Sequence, residues 1–335
     1  MNNSKKNAIY GLVLLLTIIF VYQWRKQNTP ILIEFSGKTM GTSYTIKYLS
    51  QKGISHQSQI DSLLQVFNQS LSTYIPTSEI STFNTSDSVF VFKLPYFYPV
   101  LEKSKEVFEK TNAAFDPTVM PLVNAWGFGP SKMDSLPTSQ VDSLKQLIGF
   151  QYIAFDKIQV RKLKKNFQLD FSAIAKGYGV DVVADFLTKQ GINDMLVEIG
   201  GEVVCKGKNQ KGEFWAISID DPQQSQERRA IVRIDNQALA TSGNYRNFYE
   251  KDGKKYAHTI SPQTGFPIQH ALLSASVFAK DCMSADAYAT AFMVLGKEKA
   301  IEIAQKEGLE IFLVFEEDGK IKTYSSPKIS TSITQ

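Results

Sequence analysis

Asp286 and Thr290 lie four residues apart in the run Asp281-Cys-Met-Ser-Ala-Asp-Ala-Tyr-Ala-Thr290. On a helix they share one face, so a carboxylate and a hydroxyl can reach the same cation. The surrounding alanines leave room against that face for something bulky. Oxygen donors suit a hard ion, Mg²⁺ first, which keeps waters or substrate phosphate oxygens in its other positions. The structural alternative makes Asp286 an N-terminal helix charge and Thr290 a hydroxyl bonded back to its own backbone.

A second constellation is Leu169-Asp-Phe-Ser-Ala-Ile-Ala-Lys-Gly-Tyr-Gly-Val-Asp181. The pattern predicts a strand ending in Asp170, a turn, and a helix opening near Ala173. Free backbone N–H groups and the positive helix end then point where Asp170 and Lys176 lie, which suits a phosphate or pyrophosphate. Gly177 and Gly179 in the first helical turns each cost about 1 kcal/mol relative to alanine. A close approach by a ligand or a packed strand would explain that cost. Alternatively, Asp170 only caps a helix and the glycines permit tight helix–sheet packing.

A third dense polar stretch runs from Ala240-Thr-Ser-Gly-Asn-Tyr-Arg-Asn247 to Tyr256-Ala-His-Thr-Ile-Ser-Pro-Gln-Thr-Gly-Phe-Pro267, in the manner of a binding loop. His258 precedes a turn there, and its near-neutral pKa range would let it serve as a base or, equally, as a structural residue. Two apparent motifs carry nothing. Gly37-Lys38-Thr39 resembles the end of a phosphate loop, but Leu32 stands where its first glycine belongs. Gly127-Phe128-Gly129 lacks the third glycine of a dinucleotide fingerprint and reads as a turn.

Composition narrows the chemistry. The chain has 335 residues with only two cysteines, Cys205 and Cys282, and three histidines, His56, His258 and His270. A Cys/His zinc site, an iron–sulfur cluster and a disulfide framework are all disfavoured. Lys plus Arg number 37 against 33 Asp plus Glu, too small an excess to suggest nucleic acid.

From Pro30 onward the pattern alternates strand and helix without repeats, which predicts one compact α+β body over residues 31–330, with mixed or antiparallel sheets and packed helices. Residues 31–48 alternate like a strand pair interrupted at Gly37 and Gly41. Ile60, Leu63, Leu64, Phe67 and Leu71 fall at helical spacing, as do Val100, Leu101, Val107 and Phe108. Further helices are expected at 141–148, 173–190, 284–295 and 297–307, with Gly191 ending the second of these. Strands are expected at 195–199, 202–205, 214–219, 230–234 and 248–260, the last turning at Asp252-Gly253, and a final hairpin at 311–324 turning at Asp318-Gly319. Hairpins mixed with helices argue against a doubly wound parallel sheet.

Residues 1–28 read as a targeting element. Lys5 and Lys6 precede an apolar run over residues 8–22, and Arg25 and Lys26 follow. No small-residue cleavage pattern follows it, which favours an uncleaved anchor over a cleaved signal peptide. The flanking charges are nearly balanced and assign no orientation by themselves. Either reading puts the globular part outside the cytoplasmic membrane.

The ordered series Met40-Gly-Thr-Ser-Tyr44, Ser72-Thr-Tyr74 with Ser78-Glu-Ile-Ser-Thr-Phe-Asn84, Phe115-Asp-Pro-Thr118, Asn124-Ala-Trp-Gly-Phe-Gly129, residues 170–181, Glu198-Ile-Gly-Gly201, Thr241-Ser-Gly-Asn-Tyr-Arg246, His258-Thr-Ile-Ser-Pro262 and Ala285-Asp-Ala-Tyr-Ala-Thr290 resembles the ApbE family of FAD:protein FMN transferases. The resemblance covers nearly everything from about residue 35 to residue 324. It implies a Mg²⁺-dependent enzyme that splits FAD, joins the FMN half through a phosphoester to a threonine or serine of a target protein, and releases AMP. It further implies flavin and adenine contacts at Met40, Tyr74, Ala114, Phe115, Asp116, Asp170, Lys176 and Ile260. The implied metal ligands are the Ala173 carbonyl, Asp286 and Thr290, and the implied base on the acceptor hydroxyl is His258. Its implied partners are acceptor subunits of membrane redox complexes or extracytoplasmic electron carriers, and its implied location is the periplasmic side of the inner membrane. Many members carry an acylated cysteine after the signal; none stands near residue 28 here, so lipid attachment is not expected. Two alternatives use the same residues: a metal-dependent FAD pyrophosphatase with water as acceptor, and a flavin-binding protein without catalysis.

Overall fold

The computed structural model describes residues 3–87, 89–129, 138–219, 230–244, 248–251, 254–257, 259–330 and 333–334. Eight strands form its main sheet: β1 (Ile31–Thr39), β2 (Thr42–Ser50), β3 (Met195–Ile199), β4 (Glu202–Lys206), β5 (Gln237–Gly243), β6 (Leu272–Ala279), β7 (Glu310–Glu317) and β8 (Lys320–Ser325). They pair in that order, antiparallel throughout. The helices are α1 (Asn3–Asn28), α2 (Gln57–Leu71), α3 (Glu79–Thr85), α4 (Phe97–Lys110), α5 (Met120–Ala125), α6 (Thr138–Lys145), α7 (Ala175–Lys189), α8 (Cys282–Leu295), α9 (Lys297–Glu307) and α10 (Pro327–Ser330). This is the expected α+β architecture.

The central strands are apolar at consecutive positions because both faces of the sheet are covered. Val197 and Val204 pack with α2 and α7 through Ile60, Leu64, Val180, Val183 and Leu187. Their neighbours Leu196, Val203 and Cys205 point the other way, onto Trp215, Ile219, Val232 and Ile234. Those four belong to a small antiparallel sheet of Trp215–Ile219, Ala230–Ile234 and Ile333–Thr334.

α8 is buried on nearly all sides, from Cys282 and Ala285 through Phe292 and Met293. Its alanines let it lie close to the sheet and to α7, as an all-round apolar helix must. Its first turn is held by two carboxylates. Asp281 accepts from Ser284 N at 2.7 Å, and Asp181 of α7 accepts from Cys282 N and Met283 N, each at 2.8 Å. These acids satisfy N–H groups that a helix start leaves unpaired, and they lock α8 to α7.

Several expectations are corrected. No strand leads to Asp170. Residues 167–170 run outside any ladder, held by the Asn84 side chain, which bonds Leu169 O and Leu169 N at 2.8 and 2.7 Å, and by Asp170 N donating to Pro117 O at 2.7 Å. β6, in the middle of the main sheet, was not expected at all, and neither was β5, whose residues read as a binding loop. The interruption foreseen at Gly37 is absent. β1 runs through it because the Tyr44 ring fills the place of a side chain there, 2.6 Å from where a Cβ would sit. The turn is Met40-Gly41, at φ +50° and +73°, as a tight hairpin requires. The strand pair Phe248–Lys251 and Lys254–Ala257 matches the expected hairpin, and its turn residues Asp252 and Gly253 lie outside the described residues.

The expected N-terminal anchor falls in α1, where Leu12 to Phe20 carry exposed apolar side chains. Among the described residues no helix is long and apolar enough to cross a membrane.

Candidate active site

A cleft of about 850 Å³ opens between the start of α7, the middle of α8, β5 and the loops around residues 73, 115 and 260. That is within the range of sites that enclose a sizeable organic ligand, roughly 300–1,000 Å³. Its wall includes Tyr74, Ala114, Phe115, Asp116, Asp170, Ala173, Lys176, Ile260, Asp286 and Thr290. Folding therefore brings together residues that the sequence spreads over more than two hundred positions. Tyr74 stands at the mouth, 69% exposed.

Among the described residues, one designated residue does not join this wall. Met40 packs its side chain on α7, where a Cβ at Gly179 would fall 2.5 Å from Met40 Cε. His258 lies outside the described residues, although Thr259 and Ile260 beside it reach the cleft.

Asp286 is buried, with 2% exposure, and its Oδ2 accepts from Gly177 N at 2.9 Å. One amide of the α7 first turn is thereby taken by a carboxylate of the chain itself. A Cβ at Gly177 would lie 2.2 Å from Cys282 O and 2.7 Å from Asp286 Cβ, so this glycine exists for the α7–α8 contact. At Gly177 the close approach foreseen from the sequence is thus to a helix, α8, while Gly179 meets Met40 and Ile199 of β3. One turn further along α8, Thr290 Oγ1 lies 3.1 Å from Ser242 Oγ of β5. Asp286, Thr290, Ser242 and Ala173 line the same cleft, and a carboxylate with two hydroxyls is a donor chemistry that fits a hard divalent ion.

Lys176 faces two acids. Its Nζ is 3.3 Å from Glu202 Oε1, with 30% of the lysine side chain exposed against 4% for the glutamate. Burial pulls the Lys176 ammonium down, but the charges of Asp286 and Glu202 outweigh it and hold the group firmly protonated. Burial pushes Glu202 up, against the opposing pull of Lys176. Burial likewise raises Asp170, whose carboxylate accepts from Ser172 N at 2.8 Å and from the Ser172 hydroxyl.

Asp116 serves the frame of the cleft. Its Oδ1 accepts from Thr118 N and Thr118 Oγ1 at 2.8 and 2.6 Å, its Oδ2 from Phe150 N at 3.3 Å, and Thr118 Oγ1 in turn accepts from Gly149 N at 2.7 Å. Burial nonetheless pushes its pKa up to about 6, and burial pushes Asp181 up to about 7. An unfolded aspartate titrates near 3.9, so the folded chain holds more protons between these values and stability should rise as pH falls. Lowering pH from about 8 to about 5 is expected to raise the melting temperature by a few degrees in thermal denaturation. A melting temperature that falls over this range would show that other groups dominate.

The sequence model of one protein family matches residues 40–313, described as the ApbE family. The chain belongs to the ApbE family. An ApbE relative from Vibrio cholerae, named FAD:protein FMN transferase, is 40% identical over 303 residues, covering 88% of this chain and 90% of the relative. A protein of the same name from Haemophilus influenzae is 38% identical over 339 residues, covering 96% of each. The solved structure of the flavin transferase ApbE from Vibrio cholerae matches with a TM-score of 0.83 at 38% identity, over 90% of this chain and 99% of that one. The ApbE cleft here also contains or adjoins two residues that were not singled out from sequence. In the sequence Ser242 stands in a polar loop and in the ordered series that carries the resemblance, with no role of its own, and Glu202 opens a strand.

Proposed function

We propose that this ApbE-family chain is an FAD:protein FMN transferase. It splits FAD at the pyrophosphate, attaches FMN through a phosphoester to a threonine or serine of an acceptor protein, and releases AMP. The observation that carries the reading is the convergence of Asp170, Lys176, Asp286 and Thr290 on one cleft of dinucleotide scale. The names of its relatives support the same reading.

In this reading the pyrophosphate lies beside Lys176, and Phe115, Ile260 and Tyr74 provide flat or apolar surface for the ring systems. The acceptor hydroxyl attacks the FMN-side phosphorus, a new P–O bond forms, the bridging P–O bond breaks, and AMP leaves with the bridging oxygen. Catalysis of this kind is mostly positioning and charge stabilisation. Lys176 supplies a fixed positive charge on the oxygens where negative charge develops. Asp286 and Thr290, with Ser242 and the Ala173 carbonyl nearby, would hold Mg²⁺. When bound, that ion supplies Lewis-acid stabilisation of the phosphate oxygens. His258 takes the hydroxyl proton.

The rest of the assignment concerns place. Residues 31–330 form the transferase body, and residues 1–28 tether it to the inner membrane with the body on the periplasmic side. The exposed apolar side chains of α1 support the tether. The acceptor then belongs to a membrane redox complex or an extracytoplasmic electron carrier.

Incubating the full-length protein with FAD, Mg²⁺ and a candidate acceptor tests the reaction. Covalent flavin fluorescence on the acceptor in a denaturing gel, with matching AMP release, is expected. FMN and AMP without labelling would indicate a pyrophosphatase, and intact FAD a carrier. His258→Ala is expected to reduce transfer by at least about 10²-fold, the usual worth of a general base, with FAD affinity retained. Unchanged turnover in that variant would return the histidine to a structural role.

A further inference from the structure

Glu202 opens β4 directly after the Gly200-Gly201 turn, and it is 3% exposed. Its Oε1 lies 3.3 Å from Lys176 Nζ, while its Oε2 is buried and has no hydrogen-bond partner among the described residues. The turn itself flanks the lysine stem. Gly200 sits at φ +64°, and a Cβ there would come 3.3 Å from Lys176 Cδ and 2.8 Å from Thr42 Cγ2. Two bonds fix this turn: Gly200 N donates to Ser43 O at 3.0 Å, and Gly201 N to Glu198 Oε1 at 2.7 Å.

A lysine carries its charge on a flexible four-carbon stem with three donors. Left alone beside a buried carboxylate, it would fold onto Asp286, since opposite charges attract strongly in a poorly solvated site. A second acid, Glu202, at 3.3 Å from the ammonium changes that balance. Leaving a carboxylate oxygen buried and unpaired disfavours the folded state, and such a cost is commonly found where activity depends on it.

We infer that Glu202 is a positioning residue, which holds the Lys176 ammonium away from Asp286 and against the cleft so that it meets the substrate diphosphate as a fixed charge. This rests on the transferase reading for the identity of the diphosphate. Gly200 and the strapped turn confine the stem, and Glu202 sets its end. Asp286 thereby stays open toward the cleft.

The test is a double-mutant cycle on the full-length protein with Glu202→Gln, Lys176→Met and the pair. Glutamine keeps the shape and removes the charge. Glu202→Gln is expected to lower kcat by about 10–100-fold, the range found when partners behind active-site groups are removed. The KM for FAD should stay within about threefold and the melting temperature should be unchanged or higher. In the Lys176→Met background the same change should alter kcat by less than about threefold, because the two act as one unit. Labelling of Lys176 by an amine-reactive ester, followed by peptide mass spectrometry, should rise several-fold in Glu202→Gln, since the amine is released from its partner.

A purely structural Glu202 would instead lower the melting temperature, and its effect would multiply with that of Lys176→Met; either result overturns the inference. The labelling arm separates the two claims. If wild type transfers no FMN but Lys176 labelling rises in Glu202→Gln, the transferase reading fails and the positioning stands. Should wild type transfer FMN while labelling and kcat both stay at wild-type values in Glu202→Gln, the positioning fails and the reading stands.

Discussion

Replacing Asp286 by asparagine is expected to reduce FMN transfer by about 10³-fold or more while the protein remains folded. Loss of one preorganised electrostatic group at a reacting centre costs about 10²–10³-fold, and here the same carboxylate is the one charged donor proposed for Mg²⁺. The fold should tolerate the change. Asn Oδ1 can still accept from Gly177 N, the bond that Asp286 Oδ2 makes at 2.9 Å. Lys176 also keeps a carboxylate partner in Glu202, at 3.3 Å, so no buried cation is left wholly uncompensated. Three measurements check this: in-gel flavin fluorescence of the acceptor, Mg²⁺ titration calorimetry, and thermal melting. Transfer and Mg²⁺ affinity should both collapse, with melting within a few degrees of wild type. A variant that turns over like wild type would remove Asp286 from the metal site.

The pairing of Asp286 with Thr290 was readable because an i,i+4 spacing on an alanine-rich helix fixes a shared face whatever surrounds it. The same local logic placed α8, α9, β3, β4 and the β7–β8 hairpin, whose Asp318-Gly319 turn has φ +56° and +69°. What failed depended on distant partners. Residues 167–170 look like a strand, but their backbone groups are satisfied by Asn84 and Pro117, far away in sequence. β6 interleaves Ser274 and Ser276 with apolar residues, and both serines are buried at the centre of a sheet that only the complete fold creates. Glu202 was missed for a related reason. At the head of an apolar strand, an acid reads as a solvent-facing end, and only the approach of α7 and α8 turns it into a buried charge beside Lys176. Met40 belongs to the ordered series that carried the resemblance, yet its side chain is spent on α7 at Gly179.

Gly177→Ala should be the substitution that most clearly couples packing to the site. In an isolated helix alanine would be favoured over glycine by about 1 kcal/mol. Here the new methyl would stand 2.2 Å from Cys282 O and 2.7 Å from both Cys282 C and Asp286 Cβ. Two of those atoms are backbone at the start of α8, which Asp181 and Asp281 hold in place, so no side-chain rotation relieves the overlap. Overpacking of this kind costs about 1–3 kcal/mol or more, which outweighs the propensity gain and predicts a melting temperature lower by about 5 °C. The separation of α7 from α8 must also stretch the Gly177 N to Asp286 Oδ2 bond and carry Asp286 away from Lys176 and Thr290. A displacement near 1 Å at a reacting centre is worth about 10²-fold in rate, so transfer should fall by that amount even in the fraction that stays folded. Gly179→Ala is the internal control. Its methyl would meet Met40 Cε at 2.5 Å, the far end of a flexible side chain, and Met40 can move without touching Asp286. Thermal melting and single-turnover FMN transfer of the two variants, measured side by side, decide the matter: equal losses at both positions would mean that the α7–α8 contact does not set the position of Asp286.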